Sequence, residues 1–205
     1  ATPEGGIEAE VVFFRTAAEL RAAPAGSLKG KIAYVSHQMR PAMDGSHYGF
    51  AGPARWVAPG FASQKGAVAI VIKSVGTDYH RNPHTGGTSW GDEADPIPAG
   101  ALSVPDAENL ERMFERAGDQ PITMKLELNP RRIGTTMSGN VVGEVVGRNP
   151  DLPPVLLACH LDSWWNAPGA FDDGAGCGII AAAALNVAAS GQPLRTVRVL
   201  FAGAE

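Results

Sequence analysis

Features that would assign several function classes directly are missing from this 205-residue sequence. It has no run of basic residues, and 17 Lys plus Arg against 21 Asp plus Glu give a net charge of −4, so a nucleic-acid-binding surface is not expected. The longest apolar stretch, residues 176–185, is too short for a bilayer, which requires about 20 such residues. The first residues also lack the basic segment and apolar core of a signal peptide.

Two other enzyme signatures are not supported. Residues Gly87 to Gly91 (GTSWG) have the spacing of a G-x-S-x-G motif, but they lie within a polar segment and not between a predicted strand and helix, so they do not indicate the nucleophile elbow of α/β-hydrolases. Gly174, Gly176 and Gly178 do not complete a dinucleotide-binding G-x-G-x-x-G motif, because Ile179 stands where the third glycine is required. The cysteines, Cys159 and Cys177, can pair or stay free, and the apolar neighbours of Cys159 favour a buried thiol.

The residues that are present indicate a globular α/β protein. Hydrophobic residues make up 44% and charged residues 19% of the sequence. The pattern predicts a first domain over residues 1–129, in which strands and helices alternate. Its strands are predicted at 8–14, 31–36, 67–73, 101–104 and 122–128. Its helices are predicted at 16–23, at 53–65, where the helix is broken, and from 105 to a C-cap at Gly118. The polar segment from Ser74 to Pro98 is a long loop, and we expect it to be either a functional active-site cover or disordered.

A second domain is predicted over residues 130–205. Strands at 138–147, 155–159 and 196–202 flank a helix from Asp173 to Ser190 that is apolar all round and therefore expected to be buried. Such apolar strands and helix favour a mostly parallel sheet with helices on its faces. Glu205 follows the last strand so closely that we expect the chain to be a fragment of a longer protein.

Polar residues cluster at the predicted carboxyl ends of these strands. His160 and Asp162 follow one strand, Asp172 opens the helix and Glu205 follows the last strand. In an open parallel sheet the ligand site lies beyond the carboxyl ends, so we expect these residues to converge on one edge. Imidazole and carboxylate are zinc ligands, and a nearby glutamate outside the metal's own ligands can act as general base.

Simpler interpretations of the same residues remain open at this point. A histidine at a strand end is commonly just hydrogen-bonded, and Asp172 or Asp173 before a helix is ordinarily an N-cap. A terminal glutamate alone indicates nothing. The pattern alone therefore supports a metal site and these structural roles about equally.

Three ordered motifs resemble the co-catalytic zinc exopeptidase family, which includes aminopeptidases and glutamate carboxypeptidases. They are residues 160–164 (HLDSW), residues 169–176 (GAFDDGAG) and the stretch from Arg195 to Gly203-Ala204-Glu205. The first domain is similar to the protease-associated domain inserted in several members. Its segments at 29–32, 65–67 and 82–86 look most like the plasma glutamate carboxypeptidase branch. The resemblance covers nearly the whole chain.

The resemblance implies a role for each candidate residue. His160 would bind one zinc ion, Asp172 would bridge two, Asp162 would orient His160, and Glu205 would be the general base. The family pattern also requires a further Glu, Asp and His that this chain does not contain. We therefore expect two zinc ions in the full-length protein, none or partial occupancy in this chain, and no activity from the chain alone.

The implied function is exopeptidase hydrolysis of a peptide or dipeptide, of aminopeptidase or dipeptide-cleaving carboxypeptidase type, in a secreted or periplasmic protein that can form a homodimer. His84 in the long loop is a weaker candidate for substrate binding, since a loop histidine is usually only solvated. The alternative from another class is a non-catalytic protease-associated module that serves as a lid or interaction surface.

Overall fold

The computed structural model describes residues 1–92, 94–164 and 167–205. Their contacts divide the chain into two compact units, Ala1–Arg132 and Ile133–Glu205. Both units combine helices with a sheet, which confirms the α/β class. The assignment of residues 1–129 to a protease-associated domain stays a prediction. In the described part of the chain, no helix is both long enough and apolar enough to cross a membrane.

The first unit contains a five-stranded sheet with the order β4-β3-β2-β1-β5. Strands β1 to β4 run parallel, and β5 pairs antiparallel with β1 at the edge. The strands are β1 (Ile7–Phe14), β2 (Ile32–Val35), β3 (Ala69–Lys73), β4 (Ala99–Leu102) and β5 (Thr123–Leu126). The helices are α1 (Ala17–Ala22), α2 (Ser46–Ala51), α3 (Pro53–Trp56), α4 (Ala58–Gln64) and α5 (Val104–Ala117).

Helices cover both faces of this sheet, and every residue of β2 and β3 is buried. On one face, residues of α1 and α4 such as Leu20 and Ala62 pack with Ile70 in one core cluster. On the other face, Leu110 of α5 packs in a second cluster with Tyr34. Continuous apolar strands are typical of a parallel sheet that is covered on both sides, which is why these runs fold as central strands.

Helix ends in the first unit follow the signals in the sequence. Thr16 caps α1, because its Oγ1 accepts the N–H of Glu19 at 3.1 Å. The broken helix predicted at 53–65 is confirmed as α3 and α4. The strand predicted at 101–104 instead ends at Leu102, because the side chain of Ser103 caps α5 and Val104 is already helical. Gly118 ends α5 with a φ of +58°, as predicted.

The second unit contains a three-stranded sheet with the order β6-β8-β7. Its strands are β6 (Val141–Val145), β7 (Val155–His160) and β8 (Val197–Ala202). Strand β8 is parallel to β7 and antiparallel to β6, so the described sheet is mixed and not mostly parallel as predicted. The connection between β6 and β7 contains no helix, and without a crossover of a dozen or more residues the chain reverses direction there.

The helix of the second unit, α6 (Gly176–Ala189), differs from the prediction in two respects. It begins later, because Asp172 and Asp173 have non-helical backbone angles within a π-helical turn over Ala170–Ala175. It is also not buried all round, since Ile179 is 68% and Leu185 is 70% exposed. In the described part of the unit, α6 lies against the sheet and the π-helical turn.

Candidate metal centre

His160 is the last residue of β7, and its position is fixed by the pairing of β7 with β8. The register places it opposite Ala202, and the N–H of Leu161 donates to the Ala202 carbonyl at 2.7 Å. The carboxyl ends of these two parallel strands therefore meet at one edge of the sheet. This is the edge at which an open α/β sheet places a ligand site.

Two aspartates contact the imidazole of His160, one at each ring nitrogen. Nδ1 lies 2.9 Å from the backbone carbonyl oxygen of Asp162 and 3.3 Å from its Oδ1. Nε2 lies 3.0 Å from Oδ1 of Asp172. A carbonyl oxygen can only accept, so Nδ1 donates to Asp162. In the protonated ring Nε2–H donates to Asp172, whereas in the neutral ring Nε2 has the free lone pair that a metal ligand requires. Histidine ligands of metals are commonly oriented in this way.

The electrostatic surroundings of His160 favour a cation. Burial lowers the pKa of His160, but the hydrogen bonds to Asp162 and Asp172 and the charges of both carboxylates outweigh it, so the net pKa is raised above the ordinary 6.5. The two carboxylates thus stabilise positive charge at the ring. The same negative charges would also favour a bound metal cation. The imidazole of His160 and the carboxylate of Asp172, 3.0 Å apart, are ligand types that zinc prefers.

Glu205 joins this group through Asp162. Its N–H donates to Oδ1 of Asp162 at 2.9 Å, which holds the backbone after β8 beside the segment after β7. Among the described residues, those lining the resulting cavity of about 280 Å³ are His160, Asp162, Ser163, Trp164, Asp172 and Glu205. The structure therefore brings four of the five predicted site residues together in one cavity.

Asp173 has a structural contact that the sequence did not indicate. Its Oδ2 accepts the backbone N–H of His160 at 3.2 Å, which ties the π-helical turn to the end of β7. No side-chain oxygen caps α6, which follows Ala175, so the N-cap interpretation of Asp172 and Asp173 is not supported. The peptide bond between these two aspartates is cis.

Cys159 and Cys177 form a disulfide, with their Cα atoms 5.3 Å apart. The sequence left paired or free cysteines open, and the structure shows the pair, so Cys159 is buried but is not the free thiol that its apolar neighbours favoured. The pairing arises because α6 packs on β7, which places the first turn of the helix against the strand. The disulfide joins the strand that ends at His160 to the helix that follows Asp172. Although the sulfurs lie near Asp173, they are bonded to each other and so are not thiolate ligands for a metal.

His84, the fifth predicted site residue, belongs to the first unit. Its Nε2 lies 2.6 Å from Nη1 of Arg55, and its backbone N–H donates to Oγ of Ser74 at 2.8 Å. Burial and the charge of Arg55 lower its pKa below the ordinary 6.5. The long loop that we expected to be either a cover or disordered includes Glu93, which lies outside the described residues.

Comparison with known proteins tests the resemblance. A model of Peptidase family M28 matches residues 140–205, which include His160, Asp172 and Glu205. The resemblance to a zinc exopeptidase family is confirmed. Carboxypeptidase Q from mouse, also called plasma glutamate carboxypeptidase, is 34% identical over 205 residues, which are all of this chain and 42% of that protein. The chain thus spans less than half the length of this M28 relative.

Solved M28 structures agree with this result. The Peptidase M28 precursor from Shewanella amazonensis is 41% identical, with a TM-score of 0.88 over 98% of this chain and 45% of that protein. BSAP, a zinc aminopeptidase from Bacillus subtilis, has a TM-score of 0.57 over 98% of this chain and 42% of that protein. At 21% identity, the latter similarity shows the shared fold alone.

Proposed function

We propose that this chain carries part of the active site of a dinuclear zinc exopeptidase. The observation that supports this most directly is the 3.0 Å approach of His160 Nε2 to Asp172 Oδ1, in a cavity that Glu205 also lines. The match of this region to M28 peptidases adds independent support. Because the chain spans only 42% of its curated relative, activity is proposed for the full-length enzyme.

His160 and Asp172 would hold zinc, and the Asp172 carboxylate has two oxygens with which to serve two ions. Bound zinc would supply Lewis-acid polarisation of the scissile carbonyl and a more acidic water. Glu205 would accept the proton of that water and deliver it to the leaving amine. With only two proposed ligands present, we expect the 205-residue chain alone to bind zinc weakly and to hydrolyse nothing.

Asp162 would position both the ligand and the base. Its carbonyl accepts the Nδ1–H of His160, and its carboxylate accepts the N–H of Glu205. A ligand held from its other ring nitrogen keeps one tautomer and one orientation, which lowers the cost of binding the metal. Asp162 would act on the reaction through these two neighbours without touching the substrate.

The substrate would be a peptide or dipeptide that is cleaved at one terminus. The names of the relatives include a carboxypeptidase and an aminopeptidase, so both directions of cleavage remain within the proposal. The Cys159–Cys177 disulfide supports a secreted or periplasmic location, because disulfides persist in oxidising compartments. We further propose that residues 1–129 are a protease-associated domain and that the enzyme can form a homodimer.

Zinc titration of the chain tests the proposed ligands. We expect weak zinc binding by calorimetry, lost in His160→Ala and in Asp172→Asn. His80→Ala is a matched control, since exposed His80 also pairs with an aspartate, Asp78, at 3.8 Å. Equal loss of zinc binding in the His80 variant, or undiminished binding in both site variants, would show that His160 and Asp172 are not the ligands.

A further inference from the structure

Arg55 is a buried cation in α3 whose guanidinium is only partly hydrogen-bonded. The residue as a whole is 8% exposed. Nη1 lies 2.6 Å from Nε2 of His84, and Nη2 donates to the hydroxyl of Tyr48. Its Cζ lies 5.6 Å from the ring centroid of Trp56. Nε is buried and has no hydrogen-bond partner among the described residues.

None of these partners carries a negative charge. Arginine can only donate, so Nε2 of His84 accepts, and the lowered pKa of His84 is consistent with a neutral ring. Across residues 1–92, 94–164 and 167–205, no carboxylate forms an ion pair with Arg55. The contrast is Lys73, which is 3% exposed and has carboxylates of Glu108 and Glu111 at 3.8 and 3.5 Å. A buried charge is costly unless it is paired.

A small cavity of about 40 Å³ lies against Arg55, lined by strand residues of β3 and β4 and by Thr85, Gly86 and Thr88 of the long loop. One water requires about 10–15 Å³ of such volume, so the cavity has room for a group larger than one water. A Cβ added at Gly86 would come within 2.7 Å of Nε of Arg55. The absence of a side chain at Gly86 therefore keeps the space beside Nε open.

The loop is fixed to the helices around this cavity. The N–H of Ser89 donates to the carbonyl of Trp56 at 2.7 Å, and Oγ of Ser63 donates to the carbonyl of Asp95 at 2.6 Å. These bonds hold the part of the loop that follows the cavity lining, from Ser89 to Asp95, against α3 and α4. The space beside Arg55 is therefore bounded on the loop side by backbone that is tied to α3 and α4.

We propose that Arg55 binds a carboxylate group in this cavity. Nε–H and the remaining Nη2 hydrogen form the side-on pair of donors that a carboxylate accepts with two oxygens. The hydroxyls of Thr85 and Thr88, which line the same cavity, are further donors for those oxygens. The carboxylate belongs either to a small organic acid or to the C-terminus of a peptide. This site lies wholly within the first unit and does not depend on the proposed zinc chemistry.

The test is an NMR titration of the 205-residue chain at constant ionic strength. Acetate should shift the Nε–H proton of Arg55 downfield in a saturable manner, and acetamide, its neutral analogue, should not. A dipeptide with a free C-terminus and the same dipeptide amidated then separate the two sources of the carboxylate. Absence of a saturable shift with acetate, or an equal response to acetamide, would overturn the proposal.

Variants identify the residue that binds, with saturation transfer to the acetate methyl group as the readout. Arg55→Lys keeps the charge but lacks Nε, and Gly86→Ala fills the space beside it, so both should lose the signal. Arg116→Lys, the same change at an exposed position, should retain it. If Arg55→Lys does not fold, the Gly86→Ala variant and the wild-type titration still test whether acetate binds beside Arg55. Retention of the signal in folded Gly86→Ala would contradict the proposal.

Glu93 requires a separate binding experiment, because it belongs to the same loop and lies outside the described residues. The proposal predicts that wild-type protein and Glu93→Gln bind acetate alike. Binding that appears only after Glu93→Gln would identify Glu93 as the counter-ion of Arg55. That result would replace the proposed ligand site with an internal ion pair.

Discussion

The two units of this chain bury their apolar residues to very different extents. In the first unit, all residues of β2 and β3 are buried, and helices cover both faces of the sheet. In the described part of the second unit, the buried hydrophobic residues are Cys159, Ala184, Val197 and Val199, whereas many apolar side chains of its strands and of α6 are exposed. The candidate metal centre lies in the second unit. Within this 205-residue chain, the candidate metal centre therefore lies in the unit that buries fewer of its apolar residues, where a disulfide and polar contacts hold the proposed ligands in place.

The largest expected effect tests whether the chemistry belongs to the second unit. In the full-length enzyme, Glu205→Gln removes the proposed base but keeps its size, so zinc should stay bound while kcat falls by ~10² to 10⁴. Asp172→Asn should instead lower the metal content, because the proposed bridging carboxylate loses its negative charge. Elemental analysis of the metal bound per chain, together with kcat for each variant, distinguishes the two outcomes.

A matched control comes from the first unit. His84→Ala should leave zinc content unchanged and should raise KM or lower kcat if the loop contacts substrate. Unaltered kinetics would remove His84 from the site, whereas full activity of Glu205→Gln would show that the base is a different residue.

The difference in burial can be measured directly with one substitution made in each unit. Ile70→Ala in the closed core should lower the free energy of unfolding by about 2–5 kcal/mol, because it leaves a cavity. Ile179→Ala, at a position that is 68% exposed, should change it by less than about 0.5 kcal/mol. Urea unfolding with tryptophan fluorescence measures both. Equal losses would mean that α6 is buried in solution, contrary to the comparison.

Replacing both cysteines by alanine should affect the second unit selectively. The disulfide spans 18 residues, and removing a cross-link of that length costs about 3 kcal/mol. Hydrogen exchange followed by mass spectrometry should show faster exchange in β7 and α6, with β2 and β3 unchanged. Faster exchange throughout both units would indicate that they unfold together.

The smallest expected effect concerns the pH dependence of the first unit. Because the pKa of His84 in the folded state is below the ordinary 6.5, the unfolded state takes up the proton first as the pH falls. Stability is therefore fully present above pH 6.5 and should decrease below it. Thermal unfolding of His84→Gln should show a weaker decrease between pH 7 and pH 5 than wild type. His80→Gln serves as the control for loss of an exposed histidine, and an unchanged slope in His84→Gln would contradict the prediction.

The sequence predicted local structure best where a residue's role depends on its near neighbours. The helix end at Gly118 follows from the backbone preference of glycine, whereas Thr16, included in the predicted helix at 16–23, is the residue that caps α1. The convergence of His160 and Glu205 could be predicted because parallel strands place their carboxyl ends together. The roles of these two residues still rest on the family resemblance.

What the sequence did not indicate depends on contacts between distant residues. The pairing of Cys159 with Cys177 requires α6 to lie on β7, and apolar neighbours alone favour a buried thiol equally well. Arg55 and His84 are 29 residues apart, and no periodicity relates a short helix to a polar loop. The exposure of Ile179 depends on how many elements cover the helix, whereas the pattern records only that the residue is apolar.

The two hydrogen bonds of Asp162 have a consequence for how mutational data on this site are interpreted. Its hydrogen bond to His160 uses the backbone carbonyl, which every amino acid possesses, whereas its side chain accepts the N–H of Glu205 and places a charge 3.3 Å from Nδ1 of His160. Substituting Asp162 therefore removes the support of the proposed base and the charge beside the ring, but it leaves a hydrogen-bond acceptor for the imidazole. A scan of side-chain substitutions would credit Asp162 with a role toward Glu205 and would underestimate how firmly the same residue holds the histidine.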